Sequence, residues 1–231
     1  MSEYSVSKYL VASFDVSSIQ SPKKDSLVVT VSRDTGCDAL QVVKDLVRKL
    51  NEDIRPYERH THWRYVSKEI LEKAAKKLSL KPNKVDQLLG GNDKSLVEEM
   101  VLSFSSSLHP SDLKVRRIVK EIIQSIDSKG NVAILGRAGV AILPHDKKHI
   151  HIKLTAPVKW RIDKIHKEYG VSLKEAETHI LSSDKARTSM IRHFLGKKPD
   201  PAIFDAVLNV KSLSKTEICQ TIYGLIKMKE V

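Results

Sequence analysis

Leu27-Val28-Val29-Thr30-Val31-Ser32-Arg33-Asp34-Thr35-Gly36-Cys37-Asp38 is the stretch on which the fold turns. Leu27 to Val31 is an unbroken apolar and β-branched run, as expected of a strand buried on both faces of a parallel sheet. Gly36 then marks a turn. Asp38 stands where it can cap a helix whose apolar stripe is Leu40, Val43, Leu46, Val47 and Leu50. Strand, glycine-bearing turn and amphipathic helix in this order open a phosphate-binding α/β domain.

Working outward, residues 1–26 read as an N-terminal extension, with Ser21-Pro22-Lys23-Lys24-Asp25 as a loop signal before the strand. From Ser67 to Val119 the pattern is helical. Pro82 and Asn83 start one short helix that Gly90-Gly91 stops, and further helices are expected at about 94–104 and 110–126. Strand signal returns at Asn131-Val132-Ala133-Ile134-Leu135 and, in alternating form, at Ile150-His151-Ile152-Lys153-Leu154. Pro157 is placed in the first turn of the next helix. Ser172 with Glu175 forms a capping box for the helix after it, and Asp184 is expected to start a separate basic helix to Leu195. Asp205 to Val210 is a last strand, and 215–229 a closing helix. Strands separated by helices predict an α/β fold: a three-layer parallel sheet flanked by helices, in one domain over 27–231. The serial helices at about 67–127 suit a substrate-binding insert.

Composition narrows the function classes. The 40 Lys+Arg against 28 Asp+Glu give a net charge of +12, which favours anionic partners. Residues 137–198 hold 14 of the basic and 6 of the acidic residues, a net +8. No apolar run approaches the ~20 residues of a spanning helix, and the N-terminus does not read as a secretory signal. Cys37 and Cys219 are too far apart in sequence for a metal spacing, so a cytoplasmic, reduced protein without membrane contact is expected. His60 with His62, and His149 with His151, lack neighbouring ligands that would complete a metal set. Aromatic residues make up 5% of the chain, poor for base stacking, and no nucleic-acid-binding motif is present, so nucleic acid ranks last among partners.

The order of motifs resembles the cytidylate-kinase-like family. The resemblance is carried by Ser32-Arg33-x-x-Gly36 after the first strand and by Tyr65-Val66-Ser67-Lys68-Glu69-Ile70. It continues through Val132-Ala133-Ile134-Leu135-Gly136-Arg137 and Ala156-Pro157-Val158-x-x-Arg161-Ile162. Asp184-Lys185-x-Arg187, Arg192, Phe194, Asp200-Pro201, Phe204-Asp205 and Asn209 complete it. The resemblance implies a P-loop NTPase fold of the nucleoside-monophosphate-kinase type with a basic lid at about 184–200. It also implies ATP with Mg²⁺ as phosphoryl donor, nucleotides as partners, and a cytidylate-like acceptor.

The same resemblance assigns roles. Arg33, Arg187 and Arg192 are the candidate catalytic cations. Ser32, Gly36, Cys37 and Asp38 form the phosphate loop, and Lys68, Arg137, Arg161, Asp205 and Asn209 lie on the acceptor side. No metal ligand from the protein is assigned. Arginine suits this work because its planar fork holds two phosphate oxygens at once. Arg187 and Arg192 lie about 140° apart on an ideal helix, so only a bent or frayed lid points both inward. The family's Gly-Ser-Gly-Gly-type loop is reduced here to Gly36, followed by Cys37-Asp38-Ala39-Leu40, and Asp38 adds a negative charge where a triphosphate should lie. Two functions therefore stand: an ATP-dependent nucleotide kinase, or a catalytically impaired kinase fold that binds nucleotide or a partner as a sensor or scaffold. A thiol at a helix N-terminus can be reactive, but Cys37 reads more simply as a small packed residue.

Overall fold

The computed structural model describes residues 26–54, 62–67, 120, 123, 124, 126–128 and 130–230. Lys68, His60, the N-terminal extension to residue 25 and most of the expected helical insert lie outside these residues. Five parallel strands form one sheet: β1 (Val28–Arg33), β2 (Arg64–Val66), β3 (Val132–Leu135), β4 (His149–Thr155) and β5 (Ala206–Asn209), in the order β2-β3-β1-β4-β5. β1 is central, with β3 on one side and β4 on the other. That explains why its residues are apolar on both faces: Val28, Val29, Thr30 and Val31 are all buried.

The two faces of the sheet follow the period of two. Val29 and Val31 of β1, Ala133 and Leu135 of β3, and Ile150, Ile152 and Leu154 of β4 share one core. It is covered by α1 (Ala39–Glu52) and by the closing helix, labelled α5 below (Lys215–Lys229), through Val43, Leu46, Leu50, Ile218, Ile222 and Ile226. Val28, Val132 and Ile134 point the other way, into a second core with Val66, Ile123, Ile126 and Leu143. Between β3 and β4 runs the short α2 (Gly139–Ile142). After β4 come α3 (Val158–Tyr169) and α4 (Leu173–Leu195), and α5 closes the chain. Among the described residues no helix is long and apolar enough to cross a membrane.

Several elements differ from the sequence reading. The strand Arg64–Val66, just ahead of the helical pattern expected from Ser67, is absent from the sequence reading; three residues are too few to show a period. Pro157 is the residue before α3 rather than in its first turn. Helix α4 runs without a break through Asp184, whose side chain does not cap a local turn but reaches across to the loop after β1. The Ser172–Glu175 capping box is formed, as is a second at Ser214–Glu217.

Alternation on β4 turns His149 and His151 onto the second face. His151 Nδ1 meets Thr30 Oγ1 at 2.7 Å and its Nε2 lies 3.0 Å from the Pro144 carbonyl, so Nε2 carries the proton and Thr30 donates to Nδ1. Burial, the largest influence, pushes this imidazole below its ordinary value and keeps it neutral. His149 is held differently, with Asp146 and Asp127 each 2.7 Å from one ring nitrogen. Burial opposes its charge, but the two carboxylates outweigh it and raise the imidazolium's affinity for its proton. Folding therefore takes up a proton at His149. The stabilisation is complete below the unfolded value of about 6.5 and is lost as pH rises through the raised folded value. The melting temperature is expected to fall as pH rises from about 6.5 through the raised folded value, and His149→Gln to lose that slope. A wild-type melting temperature flat over the range would remove this brace.

Candidate functional site at the loop after the first strand

β1 is the strand at which the sheet's order reverses, and ligands of open α/β sheets bind beyond the carboxyl ends of the strands at such a point. The loop 34–38 lies there. Its first residue is fixed to β4: Asp34 N–H donates to the Leu154 carbonyl at 3.0 Å, and its carboxylate accepts from Thr155 Oγ1 at 2.6 Å and pairs with Lys153 Nζ at 3.2 Å. Gly36 turns the chain at φ +89°, a conformation natural only to glycine.

Asp38 takes φ +40°, left-handed, and makes no side-chain cap on α1. The expected N-cap is thus absent, because its carboxylate is drawn outward to Lys164 Nζ at 2.7 Å and Lys215 Nζ at 3.2 Å. Burial works against its charge, but Lys164 and then Lys215 outweigh that and keep its carboxyl below the ordinary carboxylate range. The backbone keeps a glycine-like shape without a glycine. Cys37 is 3% exposed, and burial, followed by the Asp34 charge, pushes its thiol up to about 11. It packs as an inert thiol in the turn.

Thr35 is the centre of the site. Its N–H and its hydroxyl both donate to one oxygen of Asp184, at 2.8 and 2.7 Å. The other Asp184 oxygen accepts from Arg161 Nη1 at 2.7 Å. Arg187 Nη1 donates to Asp184 at 3.1 Å and also to Thr35 Oγ1. Arg161 is only 4% exposed and is further held by the carbonyls of Ala156 at 2.9 Å and Thr35 at 3.1 Å. Lys164, one turn along α3, donates to the Gly36 carbonyl at 3.0 Å. Four carboxylates (Asp34, Asp38, Glu168, Asp184) thus meet five cations (Lys153, Arg161, Lys164, Arg187, Lys215) around one short loop. The surplus is positive, as an anion site requires.

The other candidate residues fall in several places. Ser32 is buried in β1. Arg33 ends β1 with its guanidinium against Gly136: a Cβ there would stand 2.7 Å from Arg33 Nη1. Gly136, Arg137 and Ala138 follow β3 with three consecutive positive φ angles, +74°, +55° and +54°, placing Arg137 at the same edge of the sheet as the loop. Asn209 ends β5, where its side chain accepts from the Lys211 N–H at 3.0 Å. Asp205 lies before β5, at the opposite end of that strand. Its carboxylate accepts from the His151 N–H at 2.6 Å, about 13 Å of strand away from the ligand edge. Arg192 is exposed on α4; because α4 is a continuous helix, Arg187 turns to the loop and Arg192 does not. Thr35, Lys164 and Lys215 were not singled out by the sequence. The three-residue spacing Arg161–Lys164, which sets both cations on one face of a helix, is the signal that would have found Lys164.

A cleft of about 200 Å³ opens beside the loop, with Gly36, Cys37, Ile165, Tyr169, His179 and Arg187 on its walls. Among the described residues no group of three His, Cys, Asp or Glu side chains is placed to hold a metal ion.

Residues 28–212 match the cytidylate kinase-like family. No curated protein matches the sequence. Among solved structures, an uncharacterized protein from Eubacterium ventriosum ATCC 27560 is similar, with a TM-score of 0.59 at 16% identity, over 88% of this chain and 99% of that one. Shikimate kinase from Acinetobacter baumannii, solved in complex with shikimate, is similar with a TM-score of 0.50 at 10% identity, over 90% of this chain and 97% of that one. At such identities the likeness is one of fold, the P-loop kinase architecture.

Proposed function

Because the chain belongs to the cytidylate kinase-like family, we propose that it transfers the γ-phosphoryl group of ATP to a nucleoside monophosphate or a similar small acceptor. The observation that supports this most is the convergence on Thr35. A backbone N–H, a hydroxyl and two guanidinium groups from three separate elements gather on a single anion at the strand ends. Phosphoryl transfer asks for such a gathering, since catalysis there is mostly positioning and neutralisation of spreading charge. Asp184 stands in that cluster for a phosphate oxygen.

Arg187 is the donor best placed to follow the migrating group: it is the more exposed of the two arginines, at 37% against 5% for the Arg161 side chain. Arg161, fixed by two carbonyls, holds the loop in shape. Arg33 and Arg137 approach the same edge from β1 and β3 and suit the acceptor's phosphate. Mg²⁺ supplies charge neutralisation to the nucleotide when bound. Asp34 and Asp38 already carry lysine partners, so the chain's own contribution to neutralisation is its cations.

Binding without turnover is the second reading, and Asp38 favours it, because a carboxylate stands where the family's loop has glycine. Calorimetry with ATP·Mg²⁺ followed by a coupled ADP-release assay across CMP, dCMP, UMP and AMP tests both. No binding at millimolar ATP removes the kinase; binding without ADP release selects the sensor. Asp38→Gly is expected to tighten ATP·Mg²⁺ binding about tenfold, worth about 1.4 kcal/mol. It frees Lys164 and Lys215 and relieves a left-handed non-glycine residue. Unchanged affinity would show that the two lysines already cancel Asp38.

A further inference from the structure

α4 is anchored at its two ends and pinned in the middle. Near its start, Ala176 and Ile180 pack with Ile165 of α3. Near its end, Met190 and Phe194 pack on the second core beside Ile142. Between these anchors lies Ser182-Ser183-Asp184, three poor helix formers in a row. Ser and Asp favour helix ends because their side chains compete for local backbone groups. The helix nevertheless continues through them. What holds this weak stretch is Asp184, whose carboxylate takes four hydrogen bonds from Thr35, Arg161 and Arg187.

Those four donors are a complete set for an oxyanion: charge-assisted, from a backbone N–H, a hydroxyl and two guanidiniums. With Asp184 seated, all four donors are already taken.

We propose that Asp184 is a built-in phosphate surrogate: it occupies the anion seat of the loop, and an incoming phosphate group must displace it, which releases the middle of α4. The inference rests on the phosphate-binding reading of the loop and adds to it a self-blocking contact. Entry of the ligand and loosening of the helix at Ser182–Asp184 are then one event, because the same carboxylate serves both.

Inorganic triphosphate is the probe, titrated calorimetrically into the full chain and into Asp184→Ala and Asp184→Asn. Removing the internal competitor is expected to tighten triphosphate binding about tenfold in both variants. Equal or weaker binding overturns the proposal. Since losing Asp184 leaves Arg161 without its carboxylate and lowers stability, melting temperatures are read in phosphate and in chloride of equal ionic strength. Phosphate is expected to raise the melting temperature of Asp184→Asn by several degrees more than that of wild type, as an anion refills the seat. A variant that melts low and gains nothing from phosphate makes Asp184 a plain structural ion pair and overturns the proposal. In wild type, triphosphate is expected to speed amide exchange at 182–186; slower exchange there counts against the displacement. ADP release by wild type enters none of these readouts. Its absence would remove the kinase while leaving the surrogate standing, and failed anion rescue with ADP release intact would remove the surrogate alone.

Discussion

Arg161→Met is expected to lower stability by about 3 kcal/mol and the melting temperature by roughly 10 °C for a chain of this size. The side chain is 5% exposed and its partner Asp184 22%, so the pair is mostly out of water, and Asp184's residual exposure keeps the figure near the low end. Methionine fills much of the volume, so the loss is electrostatic rather than a cavity. It empties the Asp184 oxygen that Arg161 alone fills, while the other keeps Thr35 and Arg187, and it takes the buried guanidinium from the carbonyls of Ala156 and Thr35. Urea unfolding with a constant slope would measure it. The variant is also expected to lose the fixed loop, and with it nucleotide binding, without touching the acceptor. If Arg161→Met folds as tightly as wild type and only raises the acceptor KM, the arginine belongs to the acceptor site, as the family resemblance implies.

The contrast between this arginine and the others shows where sequence reading stops. The parallel sheet was legible because burial on two faces leaves a continuous apolar mark: Leu27–Val31 and Asn131–Leu135 each carry it, whereas the alternation of Ile and His on β4 did not show that both histidines are buried. The family followed from the order of short motifs. Side-chain partnerships were not legible. Asp184 reads as a helix start because aspartate usually caps its own helix, yet its carboxylate crosses 149 residues of sequence to Thr35. Asp38 reads as a cap for the same reason, but two lysines from α3 and the start of α5 take it instead. A local rule failed at both positions because a stronger, charge-assisted partner arrives only once the chain has folded. β2 escaped notice because three residues cannot display a period, and its identity as a strand comes from its parallel pairing with β3.

Arg187→Ala is expected to reduce ADP release about a thousandfold at saturating acceptor while shifting stability by less than about 1 kcal/mol. The guanidinium is over a third exposed and shares Asp184 with Arg161 and Thr35, so its loss leaves that carboxylate with three donors. The fold therefore barely notices. The reaction does, because Arg187 is the more exposed of the two guanidiniums on Asp184 and can follow charge as it spreads over a migrating phosphoryl group. The effect should fall on kcat, with acceptor KM within about threefold of wild type, since the interaction strengthens only as the transition state forms. Arg187→Lys should recover a minor part, because an ammonium supplies the charge but not the two-pronged geometry. If kcat is unchanged in the alanine variant, the transferring group lies elsewhere along the sheet edge. If stability falls as far as in Arg161→Met, Arg187 is one more brace on the loop. The two arginines, 26 residues apart in sequence and joined through one carboxylate, are thus separated by experiment: one read in unfolding, the other in turnover.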